Sequence, residues 1–319
     1  MKTIPTVTGA IATREFGFTL SHEHVFVHDE GVIASFPHIW NRKQAIESAR
    51  NKLQAAYDAG VRTIIDMSIM GNGRDIHTVR AVAEGLPINI LVATGAFYPD
   101  QLPRYFHTQP LSALRECFVH DIKTGISGTS VRAAIIKVCT DAPGLTPDVE
   151  KTLRAAAQAS LETGVPIHTH ARAENQSGLL QMRVFLEEGV PPERIYIGHV
   201  MDDTGLDYAK RLLDLGVYIG FDRFASAAIT STKIQTAISN LADLCGEGYS
   251  KQILLGNDGC SYQTVVRTGD SQKDPSLLGN DYTILPSKIL PLLREAGVSD
   301  AYIQTMAVEN PIHLFSLRL

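Results

Sequence analysis

The chain has 319 residues, 44% of them hydrophobic and 20% charged, with a formal net charge of −5. That is enough apolar material for a substantial globular core, and the lack of any basic block or basic stripe interleaved with aromatics excludes a nucleic-acid binder. Four scattered cysteines, Cys117, Cys139, Cys245 and Cys260, rule out a disulfide framework or a cysteine-type zinc site. No apolar run approaches the length of a membrane span, and the N-terminal residues lack the apolar core of a signal peptide. The expectation is a cytoplasmic protein, not membrane-bound, with one domain over residues 1–319.

Eight apolar, β-branched-rich runs recur along the chain. The first is Phe18 to His24. A helical pattern follows over Lys43 to Ala59, with apolar residues at Ala45, Ala49, Leu53, Ala56 and Tyr57 and a closing Gly60. The next runs are Val61 to Ser68, Ile88 to Thr94 and Ala133 to Cys139. Thr146-Pro147 reads as an N-cap with proline at the first helical position, opening a helix that runs to Gly164. Val165 to His170 and Arg194 to His199 come next, then a helix carrying Leu206, Ala209, Leu212 and Leu213 that stops at Gly216. Val217 to Asp222 and Gln252 to Asp258 complete the series. Phe97 to Pro110 and Cys260 to Asp281 read as long loops, the kind that serve as functional segments in a compact domain.

Strand alternating with helix through the chain predicts a (β/α)8 TIM barrel. The rival, an open doubly wound sheet, carries a phosphate-cradling glycine motif after a strand, and no strand here is followed by one.

The chemistry sits at the strand ends. Side chains two apart on a strand share a face, so His22 and His24 project together. The fifth run ends in His170, the sixth in His199 and the eighth in Asp258, while Lys137 interrupts an apolar fourth run. Barrel enzymes build their sites from the C-terminal strand ends, so these six metal-binding groups converge on one mouth. Lys137 is costly there as a cation; a buried ion pair or a stem reaching solvent are two readings. In a third, the neutral amine takes up carbon dioxide, and the resulting carbamate bridges two metal ions about 3.5–4 Å apart.

Gly17-Phe-Thr-Leu-Ser-His-Glu-His24, Met70-Gly-Asn-Gly-Arg-Asp75, Ala93-Thr-Gly95, the Lys137 strand, Gly164-Val-Pro-Ile-His-Thr-His170, Ile197-Gly-His199, Gly220-Phe-Asp-Arg223, Asn257-Asp258 and Glu309-Asn-Pro311 together resemble the phosphotriesterase family of the amidohydrolase superfamily. Within it, the chain is most similar to the phosphotriesterase-like lactonases. The resemblance implies two divalent metal ions, zinc first, with cobalt, manganese or iron as alternatives. His22, His24 and Asp258 would hold the more buried ion, and His170 and His199 the more exposed one. Lys137 as N6-carboxylysine and a hydroxide would bridge them. The hydroxide would attack the carbonyl of a small-molecule lactone or ester, with Asp258 moving its proton. A homodimer is implied as well.

Arg223, directly after Asp222, matches the lactonase pattern, in which this arginine lies near the substrate; an ion pair between loops is the other reading. Where lactonases usually carry a tyrosine that reaches the lactone ring, this chain has Phe97, with Tyr98 beside it. Phe97 cannot donate a hydrogen bond, and its bulk is closer to the tryptophan of phosphotriesterases. A phosphotriesterase acting on organophosphates is therefore the alternative within enzymes, and a non-catalytic binding barrel the alternative outside them. His28, His38, His77, His107, His120 and His313 read as surface or structural residues, His168 as a core histidine or a partner of a ligand. Asp222 either orients a ligand or pairs with Arg223.

Overall fold

A computed structural model describes residues 3–203, 205–226, 229–263 and 282–317. The chain opens with an antiparallel hairpin, β1 (Thr3–Thr6) and β2 (Gly9–Ala12), which the sequence periodicity does not single out because each strand is so short. The predicted runs then appear as β3 (Thr19–Val27), β4 (Thr63–Asp66), β5 (Asn89–Gly95), β6 (Ile135–Thr140), β7 (Ile167–Ala171), β8 (Ile195–Ile197) and β9 (Tyr218–Phe221). The eighth forms a strand only over β10 (Ile253–Leu255), and beyond its end at Asp258 comes a further strand, β11 (Gly259–Gln263). All pair in parallel in the order β10-β9-β8-β7-β6-β5-β4-β3-β11. β10 pairs with β9 and β11 pairs with β3, so one interrupted strand closes the sheet on itself. The result is the (β/α)8 barrel, its strands buried on both faces and therefore rich in continuous apolar residues.

The helices form where predicted. Arg42–Asp58 buries Ala45, Ala49, Leu53 and Ala56, and the Asn41 side chain accepts its first free amide from Gln44. Pro147–Thr163 starts at Thr146, whose hydroxyl accepts the Val149 amide, and stops at Gly164 with φ 76. The stretch from Phe97 to Pro110 is not all loop. Arg104–Thr108 is a short helix, and Lys151 donates to the carbonyls of Phe106, His107 and Gln109 around it. Of the other long segment, residues 260–263 belong to β11, and 264–281 lie outside the described residues.

Two apolar layers position everything else. One fills the space between strands and helices and contains Ile136, Val138, Leu153 and Ile219. The other lies inside the barrel, with Phe16, Ile65, Leu91, Ile135, Leu254 and Phe315. Ile135 belongs to this floor, and Lys137, two residues on, faces the same way one layer higher. The barrel interior thus turns from apolar to polar towards the C-terminal strand ends.

β5 and β6 approach each other so closely that a Cβ on Gly95 (φ +140) would lie 1.7 Å from the Lys137 carbonyl oxygen. Gly95→Ala is expected to cost about 3 kcal/mol or more, through strain and displacement of β6. Gly85→Ala, at φ +71 with open space around it, should cost only about 1–2 kcal/mol. Equilibrium urea unfolding of the two variants measures the difference.

Candidate metal centre

β3 turns His22 and His24 inward, both nearly fully buried. The break between β10 and β11 brings Asp258 against them. Its amide donates to the His22 carbonyl at 3.0 Å, and its backbone takes a left-handed φ of 51. Asp258 Oδ1 lies 3.7 Å from His22 Nε2 and 3.5 Å from His24 Nε2. These three ligand atoms surround one point, within 4.8 Å of one another.

The opposite edges of the rings decide their tautomers. Asp222, at the end of β9, is 0% exposed. Its Oδ2 accepts from Tyr196 Oη at 2.6 Å and from His22 Nδ1 at 3.2 Å. Its Oδ1 accepts from the His199 amide at 2.9 Å and from His199 Nδ1 at 3.0 Å. Burial alone would raise the Asp222 pKa, but the facing His199, His168 and His22 rings hold it well below the usual range, so it is a carboxylate. Both histidines therefore carry their proton on Nδ1 and leave a lone pair on Nε2. His24 reaches the same state differently. Ser68 Oγ donates its one hydrogen to the Phe26 carbonyl and must accept from His24 Nδ1 at 3.2 Å. Such hydrogen bonds at the far nitrogen are how proteins aim histidines at a metal.

Lys137 lies in the same buried layer, its Nζ 2.9 Å from His22 Nε2. Burial pushes its pKa down to about 8, against the opposing pull of Asp258 and Asp222. β7 and β8 bring His170 and His199 together, with ring centroids 4.6 Å apart, and His199 stacks on His22 at the same centroid separation. Burial also pushes His170 down to about 4 and His22, His24 and His199 below the normal imidazole range, so all four are neutral at pH 7. Neutral imidazoles, a carboxylate and a deprotonatable amine suit borderline divalent cations such as zinc, and the Nε2 atoms of His22 and His24, converging on Asp258 Oδ1, fit that use.

The structure brings together all six residues proposed as ligands from the sequence. His22, His168 and Asp222 also cluster within ligand distance. That set is less suited to an ion, because the Asp222 oxygens already accept from Tyr196, His22 and His199. His168 is fully buried beneath the site; neither ring nitrogen has a hydrogen-bond partner, and Nε2 lies 3.8 Å from Asp222 Oδ2. Asp222 thus orients the His22 and His199 rings, and Arg223 turns elsewhere. Its Nε donates to Asp258 Oδ2 at 3.1 Å and its Nη1 to Asp202, a residue the sequence does not single out. Arg223 therefore forms ion pairs with Asp202 and Asp258, as one of its two sequence readings expects. Phe97 stands edge-on to His170 at 5.2 Å, whereas Tyr98 packs against Gly71. Asp141, beside His170 at 3.7 Å and Arg172 at 3.3 Å, is a further mouth residue without a sequence signal of its own. A separate cleft beside the N-terminal hairpin, lined by Thr8, His77, Arg80 and Arg132, contains none of these groups.

The phosphotriesterase family model matches residues 2–315. The chain is 37% identical over 312 residues to an aryldialkylphosphatase of Saccharolobus solfataricus, covering 96% of this chain and 97% of the relative. It is 36% identical over 324 residues to a phosphotriesterase homology protein of Mycobacterium tuberculosis, covering 99% and 98%. The solved structure of the phosphotriesterase from Mycobacterium tuberculosis superposes with a TM-score of 0.92 at 35% identity, over 99% of this chain and 98% of that one.

If Asp222 sets the two tautomers, Asp222→Asn should lower divalent-metal affinity by about 10–100-fold while the barrel stays folded. Competition with a chromogenic chelator measures this, and an unchanged affinity would remove Asp222 from the account.

Proposed function

The chain belongs to the phosphotriesterase family, and we propose that within it this protein is a binuclear-metal hydrolase that opens lactones, acyl-homoserine or other γ- and δ-lactones, with weaker arylesterase and phosphotriesterase activity. The observation that carries the reading is the convergence of His22 Nε2, His24 Nε2 and Asp258 Oδ1 beside Lys137 Nζ. His22, His24 and Asp258 would hold one cation and His170 and His199 the other, with Lys137 as N6-carboxylysine a ligand to both. Zinc is the first choice; cobalt, manganese and iron suit the same donors. Such a pair of ions supplies a hydroxide near neutral pH and an electrophile for the substrate oxygen.

The protein's own residues supply proton handling and enclosure. Asp258 would take a proton and return it to the leaving group. Burial would raise its pKa, but His22 and Arg223 hold it well below the carboxylate range, so it keeps a proton only transiently. Arg223 occupies Oδ2 and, always protonated, cannot drain that proton towards Asp202. A proton retained at the site favours a leaving group that needs one. The alkoxide released from a lactone needs it; the phenolate of an aryl phosphate leaves without it. Phe97, edge-on to His170, contributes an apolar wall with no donor.

The second reading, hydrolysis of phosphotriesters as the main activity, is favoured by that wall and by the names of the relatives. A homodimer in the cytoplasm accompanies either reading; no helix among the described residues is long and apolar enough to cross a membrane.

Side-by-side kcat/KM on metal-reconstituted protein tests the substrate. A preference of tenfold or more for acyl-homoserine, γ- or δ-lactones over an aryl dialkyl phosphate, about 1.4 kcal/mol in transition-state stabilisation, is expected. The reverse preference would make phosphotriester hydrolysis the function. The Lys137 bridge has its own test. With a pKa of about 8, the amine is protonated below that pH and neutral above it. At fixed dissolved carbon dioxide, metal loading should therefore accelerate about tenfold per pH unit below 8 and level off above it. Lys137→Ala should bind metal poorly and regain activity with added short-chain carboxylic acids; full activity without them would refute the carbamate.

A further inference from the structure

The eighth barrel strand changes partner in its middle. β10 ends at Leu255 still paired with β9, and β11 starts at Gly259 already paired with β3. The intervening residues carry backbone amides that neither ladder takes. Gly256 donates to the Phe221 carbonyl and Asp258 to the His22 carbonyl. Two amides remain, those of Asn257 and Gly259, on either side of Asp258.

Both go to one side chain. Asn257 N–H donates to Glu23 Oε1 at 2.7 Å, and Gly259 N–H donates to Glu23 Oε2 at 2.9 Å. Glu23 is 0% exposed and lies on β3 between His22 and His24, pointing away from their face. The side chain thus ties the residues before and after Asp258 to the strand that carries the two histidines. Asp258 itself holds a φ of 51, a conformation that persists in a non-glycine residue only when its surroundings over-determine it. The Asn257 side chain adds to the restraint, donating to the Tyr282 carbonyl and accepting the Leu285 amide.

We propose that Glu23 is a positioning residue for Asp258: by accepting the amides on both sides of it, one buried carboxyl group fixes the direction in which the Asp258 side chain points. This rests on the reading of Asp258 as a metal ligand. Glutamine is nearly isosteric but offers one acceptor oxygen where the site presents two N–H donors, so Glu23→Gln leaves one amide facing an NH2 group. A second perturbation reaches the clamp from the other side. A Cβ on Gly259 would lie 2.9 Å from Glu23 Oε2, so Gly259→Ala pushes the Glu23 side chain off without replacing it.

The test is a Co2+ titration of metal-free protein in bicarbonate buffer, followed by absorbance, with unfolding midpoints measured in parallel. His24→Ala and His170→Ala mark which binding step belongs to which ion. Wild type is expected to take up about two equivalents. Glu23→Gln and Gly259→Ala should each lose about tenfold or more in the step that His24→Ala abolishes, and stay within about twofold in the other. If both steps keep their wild-type affinities, or weaken equally, Glu23 only closes the barrel and the proposal fails while the metal reading stands. If wild type binds no Co2+, both fail. If Glu23→Gln does not fold, Gly259→Ala decides. If neither folds, exchange of the Asn257 and Gly259 amides in wild type decides: protection matching the barrel strands supports the clamp, and loop-like exchange overturns it.

Discussion

A buried carboxylate is expensive, and the interior of this barrel is arranged around satisfying one. Asp222 has no exposed surface, yet it accepts from the His22 and His199 rings, the His199 amide and the Tyr196 hydroxyl. Left without those donors, an ionised group in such a place would take up a proton or force the chain open. The requirement runs both ways. The donors are drawn from β3, β8 and the turn after β8, so the carboxylate that needs them also fixes the relative placement of those elements. It selects the Nδ1–H tautomer in two rings, and their Nε2 lone pairs point away from Asp222 towards the mouth.

That arrangement is possible because the barrel interior is divided by height. Its floor is packed with Phe16, Ile65, Leu91, Ile135, Leu254 and Phe315, with Phe16 and Phe315 edge-to-face at 5.4 Å. The floor excludes water from below and holds the strands in one register. Above it, inward positions at or beside the barrel strands carry His22, His168, Lys137 and Asp222. Desolvation from the floor is what keeps the histidines neutral and lowers the Lys137 amine, so the apolar layer sets the protonation states of the polar one.

The parts legible in the sequence are those with a local period. His-x-His on a strand declares a shared face, and a lone lysine inside Ile-Ile-Lys-Val declares its own cost, so the fold and the convergence of six groups follow from strand ends alone. What escapes is whatever depends on partners distant in sequence. Asp222 and Arg223 are neighbours, and the sequence leaves their pairing open; in the fold they face opposite ways, one into the histidine cluster and one to Asp202 and Asp258. The break in the eighth strand is equally silent, because Leu254-Leu-Gly-Asn-Asp258 reads as one run. Only barrel closure requires its two halves to pair with different strands. The helix Arg104–Thr108 escapes because it is held by Lys151 and Asp148 of a later helix and has little helical pattern of its own.

Charge then limits how the site can be filled. Without metal, Lys137 and Arg223 are the cations facing Asp202, Asp222 and Asp258, all in an environment where unbalanced charge is costly. Arg223 is committed on both sides, to Asp202 and Asp258, and stays protonated. Lys137 is the group whose state can change. Its carboxylation on the proposed reading would replace a cation by an anion beside two carboxylates, and this could persist only together with bound cations. On that reading, metal uptake and lysine modification would be one coupled equilibrium rather than successive independent events. The burial that depresses the amine's proton affinity would prepare it for that reaction, and the carboxylates that would repel the product would be answered by the ions it helped to hold.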